Sequence, residues 1–446
     1  MEQKLASWKE IANYLGKGVR TVQRWEQTMG LPVHRLPGKT KDIVYAFPAE
    51  IDDWLRTNSV RVQQQAQAGQ NDNQDKSARN WRVWLVVAGA LAALALAAAG
   101  GWHRWAPAAG QPASFQLKGN KLIVYDQLRR QLWTHEFDAP LNEAYYRNPS
   151  DIGSEANRQL AALEDLDQDG KTEMLLLAAP DGDGEAWKNT LVCFDSSGRI
   201  RWQYHPAYTV RFGDDLYEPP FILHFFLLGS RGADGSRAVW AVSYHNTWFP
   251  TVVAKLNPEG KVLAEYWHAG AIGALAEAHV GGRHVILAGG TNNEQFSGAV
   301  SILNYDNPQG SSPAASDKYR CRTCPPGGPL GYILLPRPEL SRVLDSRPYA
   351  TRIWVRGSGE VEIGAVAGPD STGLRGGMAF FFDPDFHLQS AEVTDTYVAL
   401  HHQLEARGAL KHPMDRRRES EALKRIRYWD GEKFTNEWVP LGTGGR

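Results

Sequence analysis

The stretch WRVWLVVAGALAALALAAAGGW, residues 81–102, carries one charge, Arg82 at its edge, and separates two pieces of different character. As a helix its uncharged part, Val83 to Trp102, is about 30 Å long, the thickness of a bilayer's hydrocarbon core. Trp81, Trp84, Trp102 and Trp105 stand at or near its ends, where amphipathic rings suit the membrane interface. A cleaved signal peptide begins at the N-terminus, whereas here a long segment with helical patterning comes first. The run therefore reads as a single transmembrane helix. Lys76, Arg79 and Arg82 on one flank outweigh His103 and Arg104 on the other by a small margin, a bias toward the N-terminal side lying inside, and the orientation leans more on the character of the two halves.

Over 446 residues the formal net charge is -1, which excludes a strongly basic protein overall and leaves local charge open. Three cysteines are too few for a disulfide-stapled scaffold. The part after the anchor is long enough to build a large core without staples.

Before the anchor, Ser7 followed by Glu10 forms a capping box. Trp8, Ile11, Ala12 and Leu15 then recur at helical spacing up to Gly16. A second helix runs through VRTVQRWEQT, with Val19, Val22 and Trp25 inward and Arg20, Thr21, Gln23 and Arg24 outward. Two short helices joined by a glycine-containing turn are the helix-turn-helix arrangement, whose second helix fits the DNA major groove. Arginine and glutamine can pair with guanine and adenine edges. HRLPGKTKDIVYAF reads as a hairpin with Lys39 and Lys41 at a basic tip, and AEIDDWLRT as a closing helix. The strings SWKEIANYLGKGVRTVQRWEQTMGLPVHRLPGKT and VYAFPAEIDDWL resemble the small winged helix-turn-helix domains of the MerR and excisionase type. That resemblance implies DNA binding, usually as dimers or cooperative arrays. The polar residues 60–80 form a flexible linker spanning roughly 25 Å.

After the anchor, LIVYDQLRRQLWTHEF, LVCFDSSGRIRWQYHP and VAKLNPEGKVLAEYWH share a strand, an acidic or amide turn residue, a basic residue and a second strand. Asp126, Asp195 and Asn257 occupy the turn position, and Trp133 and Trp202 follow the first two at one common spacing. Weaker matches surround Asp306 and Asp383. Hairpins repeated at slightly more than a four-stranded unit, each with its aromatic filler, predict a β-propeller, with a β-sandwich or irregular solenoid as alternatives.

In DLDQDGKTEMLLLAA, Asp165, Asp167, Asp169, Lys171 (through its carbonyl) and Glu173 fall at alternating positions, suited to wrapping oxygen ligands around Ca2+. An EF-hand needs glutamate where Leu176 stands. The loop instead resembles the calcium loop of FG-GAP, or integrin-type, propeller repeats, and the flanking hairpins resemble quinoprotein-type propellers. The resemblance implies a propeller that recognises ligands or partners, stiffened by calcium; an acidic turn without metal is the alternative. Cys321 and Cys324 are spaced for a local disulfide, or stay as unpaired thiols, while Cys193 in a strand pattern belongs to the core. The histidines show no metal-ligand spacing, and TYVALHHQLEARGAL has helical periodicity with His401 and His402 as filler. No nucleophile elbow, phosphate loop or paired-acid motif is present, so no catalytic residues are assigned and the expectation is a protein that is not an enzyme.

The expected fold class is therefore multidomain: a small α+β winged helix-turn-helix domain (1–59), the linker (60–80), a single transmembrane helix (81–102), a spacer (103–114) and a large all-β, propeller-type domain (115–446). In layout this resembles the ToxR-like plan of membrane-bound bacterial transcription regulators. The implied protein is single-pass in the inner membrane, with a cytoplasmic DNA-binding head and a periplasmic or extracellular domain that senses a ligand or protein. Gly89, Ala93 and Ala97 offer a small-residue surface for a homodimer. The other readings are an envelope scaffold or adhesion protein with a calcium-stiffened propeller, and a quinoprotein-like or other propeller enzyme.

Overall fold

The computed structural model describes residues 4–36, 43–57, 110–143, 146, 158–181, 188–247, 249–369 and 371–442. The run expected to form the anchor (81–102), the expected linker (60–80), the hairpin tip with Lys39 and Lys41, and residues 182–187 lie outside these residues. No helix among the described residues is long and apolar enough to cross a membrane. The chain divides into two compact units, Met1–Ala106 and Pro107–Arg446.

In the first unit, α1 (Trp8–Tyr14) starts at Ser7, whose hydroxyl accepts the Glu10 amide, while the Glu10 carboxylate accepts the Ala6 amide. Helix α2 (Val19–Met29) ends at Gly30 in the left-handed region (φ 64°), a conformation glycine adopts without steric cost. Strands β1 (His34–Leu36) and β2 (Ile43–Tyr45) pair antiparallel, and residues 48–57 form α3. Ile11, Ala12, Val22, Trp25, Leu31, Ala46, Ile51 and Trp54 make one core. The inward assignment of Val19 is corrected: it is 37% exposed, because it is the first residue of the helix and the core is reached only at Val22.

The second unit is propeller-like: five mainly antiparallel sheets follow one another along the chain. Sheet 1 holds β3 (Ser114–Lys118), β4 (Lys121–Tyr125) and β5 (Gln131–Glu136). Sheet 2 holds β6 (Ala161–Glu164), β7 (Glu173–Ala178), β8 (Thr190–Phe194) and β9 (Ile200–Tyr204). A small hairpin of β10 (Val210–Phe212) and β11 (Asp215–Tyr217) precedes sheet 3. That sheet contains β12 (Phe221–Arg231), β13 (Arg237–His245), β14 (Thr251–Leu256) and β15 (Val262–His268). Sheet 4 begins with β16 (Ile272–Val280), β17 (Arg283–Asn292) and β18 (Ser297–Asn304). The short β19 (Gly310–Ser311) returns to pair with β15, and β20 (Gly331–Leu334) rejoins sheet 4. Sheet 5 is β21 (Tyr349–Val355), β22 (Val361–Ala367), β23 (Gly376–Phe382) and β24 (Leu388–Val393). The last strands, β25 (Arg427–Trp429) and β26 (Phe434–Thr435), complete sheet 4.

Each inner sheet buries both faces. Met174, Leu176, Val192 and Phe194 of sheet 2 pack against sheet 1, whereas Leu175, Leu177, Leu191 and Cys193 face sheet 3. Trp240, Val242 and Tyr266 of sheet 3 meet Leu275, Ile286 and Ala288 of sheet 4. Alternate residues of sheet 4, such as Ala276, Leu287 and Val300, meet Ile353, Ile363 and Phe380 of sheet 5. This double burial explains the unbroken apolar runs, since a strand covered on both sides loses the polar alternation of a half-exposed one. Among the described residues, no buried apolar cluster joins sheet 5 to sheet 1.

Few helices accompany the sheets among the described residues. Three helices, α4 (Glu339–Val343), α5 (Asp395–Ala406) and α6 (Arg416–Leu423), add Leu340, Tyr397, Leu400, Leu404 and Leu423 to the core shared by sheets 4 and 5. The domain is mainly β with a helical cap.

The repeated hairpins have one geometry. Asp126 and Asp195 each take two backbone amides on one carboxylate oxygen and an arginine Nε on the other, from Arg130 and Arg199. Burial alone would raise the Asp195 carboxyl, but hydrogen bonds from Ser197 and Arg199 bring it down to about 2. Trp133 and Trp202 then reach the following sheet: their indole N–H groups donate to Ser196 O (3.1 Å) and Pro258 O (2.7 Å). Their rings lie over Gly198 and Gly260, where an added Cβ would sit 2.6 and 2.4 Å from a ring carbon. Asp383 forms a similar turn with His387, but Asp306 does not: after β18 the chain departs toward β19, and the Asp306 carbonyl accepts Lys255 Nζ.

Candidate functional site

On the first unit, Val22 and Trp25 turn into the core, and the opposite side of α2 presents Arg20 and Arg24 to solvent one helical turn apart. Thr21 and Gln23 are partly buried. Neither Arg20 nor Arg24 forms an ion pair among the described residues, so both guanidinium groups are available to an anion. The Arg35–Glu26 ion pair (2.7 Å) ties β1 to α2, and Trp54 Nε1 donates to Met29 O (2.9 Å) at the end of α2. Helix, hairpin and third helix thus hold α2 in place with its polar side outward.

In the acidic loop, the sequence grouping is met in part. Carboxylate oxygens of Asp165, Asp167 and Glu173 lie within 4.8 Å of one another. Asp169 and Lys171 turn to each other instead, Oδ2 to Nζ at 3.0 Å. Sequence reasoning missed Arg201, on β9, which donates to Asp167 Oδ2 at 2.8 Å and pairs with Glu173 Oε1 at 3.0 Å. Glu173 is 2% exposed; burial raises its pKa, opposed by the Leu166 amide and Arg201. The oxygen donors fit a hard divalent cation by type, and Arg201 already supplies part of the counter-charge.

A cleft of about 840 Å³ opens where the first strands of several sheets approach one another. His224 comes from β12, Tyr349 and Arg352 from β21, Arg158 from just before β6, Arg347 from just before β21 and Arg375 from the loop between β22 and β23. Arg158 Nε donates to Gly273 O of β16, crossing between sheets, and the Tyr349 hydroxyl packs at the position a Gly273 side chain would need. Four arginines line the cleft, with no carboxylate among its described lining residues. Arg352 stacks on Trp354 at 4.0 Å and Arg347 on Phe296 at 4.5 Å, so aromatic faces hold both side chains. Burial, with Arg158 adding to it, pulls the His224 imidazole down to about 4. Its Nδ1 is buried without a hydrogen-bond partner. A group of guanidinium forks beside a neutral imidazole is chemistry suited to a carboxylate or phosphate. The contributors come from positions 158 to 375, so no local motif announces them.

Cys321 and Cys324 are bonded to each other in a loop that pairs with Phe212 and packs beside Phe249 and Trp267. Cys193 is fully buried, and burial pushes its thiol up to about 12.

No family model and no curated protein matches this chain. Among solved structures, it is similar to one described as the Dos1 propeller, at 10% identity and a TM-score of 0.30, over 64% of this chain and 69% of that one. A second, described as a eukaryotic initiation factor, gives 11% identity and a TM-score of 0.19, over 63% and 73% of the two chains. The propeller-like description rests on the succession of sheets in this chain.

Proposed function

We propose that this chain is a membrane-anchored DNA-binding transcription regulator whose propeller-like domain lies outside the cytoplasm and binds a ligand or protein. The observation that supports it is the organisation itself: a compact helix–hairpin–helix core, then the uncharged run, then a separate sheet domain. The first unit is read as a winged helix-turn-helix domain of MerR or excisionase type, with Arg20, Thr21, Gln23 and Arg24 facing DNA and Lys39 and Lys41 on the wing. Its small excess of positive charge favours binding as a dimer, which doubles the phosphate contacts. A ligand-dependent change in dimerisation carries the signal across the single helix.

DNA capture with the full-length protein in its native membrane tests this reading. A small set of promoter-adjacent fragments should be enriched, and replacing Arg20 and Arg24 together by alanine should remove the enrichment. Equal recovery of DNA by both proteins, or none by either, would sink it.

The arginine cleft is the seat proposed for the ligand, which then carries carboxylate or phosphate groups. With citrate as the probe, Arg347→Ala and Arg375→Ala should each weaken binding about tenfold, the loss of one charge-assisted hydrogen bond. Unchanged affinity in both variants would remove the cleft from the account.

The gathering of Asp165, Asp167 and Glu173 favours a calcium site in the acidic loop. Calcium there would cross-link the start of β7 to the preceding loop and stiffen one edge of sheet 2, a feature a scaffold or adhesion protein would share.

A further inference from the structure

The helical cap contains a second group of ligand-type side chains, unrelated to the cleft or the acidic loop. His401 sits on the inward side of α5 with Tyr397, Leu400 and Leu404, and its side chain is fully buried. Its Nδ1 lies 2.6 Å from Glu405 Oε1, one helical turn further on. A neutral imidazole donating from Nδ1 keeps its lone pair on Nε2, and that nitrogen is buried with no hydrogen-bond partner. An unmatched polar atom in such a place is destabilising, and a cation that takes its lone pair relieves it.

Its neighbours are also ligand types. His412, in the connector between α5 and α6, has its ring 5.2 Å from that of His401, and its Nε2 is 3.0 Å from Glu339 Oε2 on α4. One donor atom each from Glu339, His401 and His412 lie within 4.8 Å of one another. Donors bonded at 2.0–2.1 Å around a tetrahedral metal are about 3.3 Å apart, so small side-chain rotations close the triangle. A carboxylate behind one imidazole, here Glu405 behind His401, is the support that fixes the tautomer of metal-binding histidines.

We propose that Glu339, His401 and His412 bind a divalent transition cation of the zinc class. The two imidazole nitrogens and one carboxylate oxygen supply three ligands, and water takes the fourth place on the side where Glu339 and His412 are partly exposed. The ion joins α4, α5 and the connector to α6, three segments brought together over sheet 5, and so fastens the cap to the core that sheets 4 and 5 share.

The test uses tag-free full-length protein in detergent, stripped with chelator and titrated with zinc. One ion per chain should bind in competition with a chelating dye and raise the melting temperature by several degrees. Cobalt(II) in its place should give the visible absorption of a tetrahedral site. His412→Ala and Glu339→Gln, both at partly exposed positions, should each lower zinc affinity at least tenfold and abolish the cobalt bands, while His401→Ala additionally tests the buried ligand. Absence of stoichiometric zinc in the parent protein, or equal binding by His412→Ala and Glu339→Gln, would overturn the proposal.

Discussion

At the scale of single residues, Arg201 shows how a local motif can be read and still be incomplete. The alternating acids of the loop are visible in sequence because they are neighbours, yet the cation they hold in the structure arrives from β9. Arg201→Ala would leave Glu173 buried with no positive partner, at a cost of about 3 kcal/mol in unfolding free energy. If the loop accepts calcium, excess calcium should restore much of that loss and raise the melting temperature of the variant more than that of the parent. Calcium that shifts neither protein would end the calcium reading. The same contrast separates the other sites. Arg20 and Arg24 stand out on a single amphipathic helix, whereas the arginines of the cleft and the Glu339, His401 and His412 group are assembled across long stretches of chain. Spacing along the sequence carries no signal for them.

At the scale of elements, the hairpins of sheets 1, 2 and 3 were legible because turn chemistry is local. An aspartate or asparagine that accepts amides two to four residues ahead, then a residue in the left-handed region, fixes the turn whatever surrounds it. The docking of Trp133 and Trp202 on the next sheet makes the spacing between hairpins meaningful, since each indole needs a glycine at the neighbouring tip. Gly260→Ala combines a φ of +77° with a Cβ placed 2.4 Å from the Trp202 ring. It should lower stability by about 2–4 kcal/mol in urea unfolding. An unchanged midpoint would show that this contact does not order the sheets. Val19 and Asp306 mark where local reading stopped. Val19 fits the helical period but is the first residue of its helix, and the core is reached only at Val22. Asp306 follows a strand as Asp195 does, but its strand continues into a crossover, which only the distant β15 and β20 partners determine.

At the scale of the whole molecule, the propeller-like succession was predictable from repetition, while the composition of its later sheets was not. Sheet 4 is completed by β25 and β26, which come after all of sheet 5 in the chain, and the helical cap fills the core beside sheet 5. Pairings over such separations leave no periodic trace in sequence. The division of labour proposed for the two units depends on where each one lies, and residues 81–102 are the segment that decides it. Protease added to spheroplasts making the full-length chain with an N-terminal epitope tests this most directly. The account predicts that residues 107–446 are digested while an epitope-bearing fragment ending near the membrane run survives and stays in the membrane through a carbonate wash. Protection of both units, digestion of both, or release of the intact chain by carbonate would contradict it.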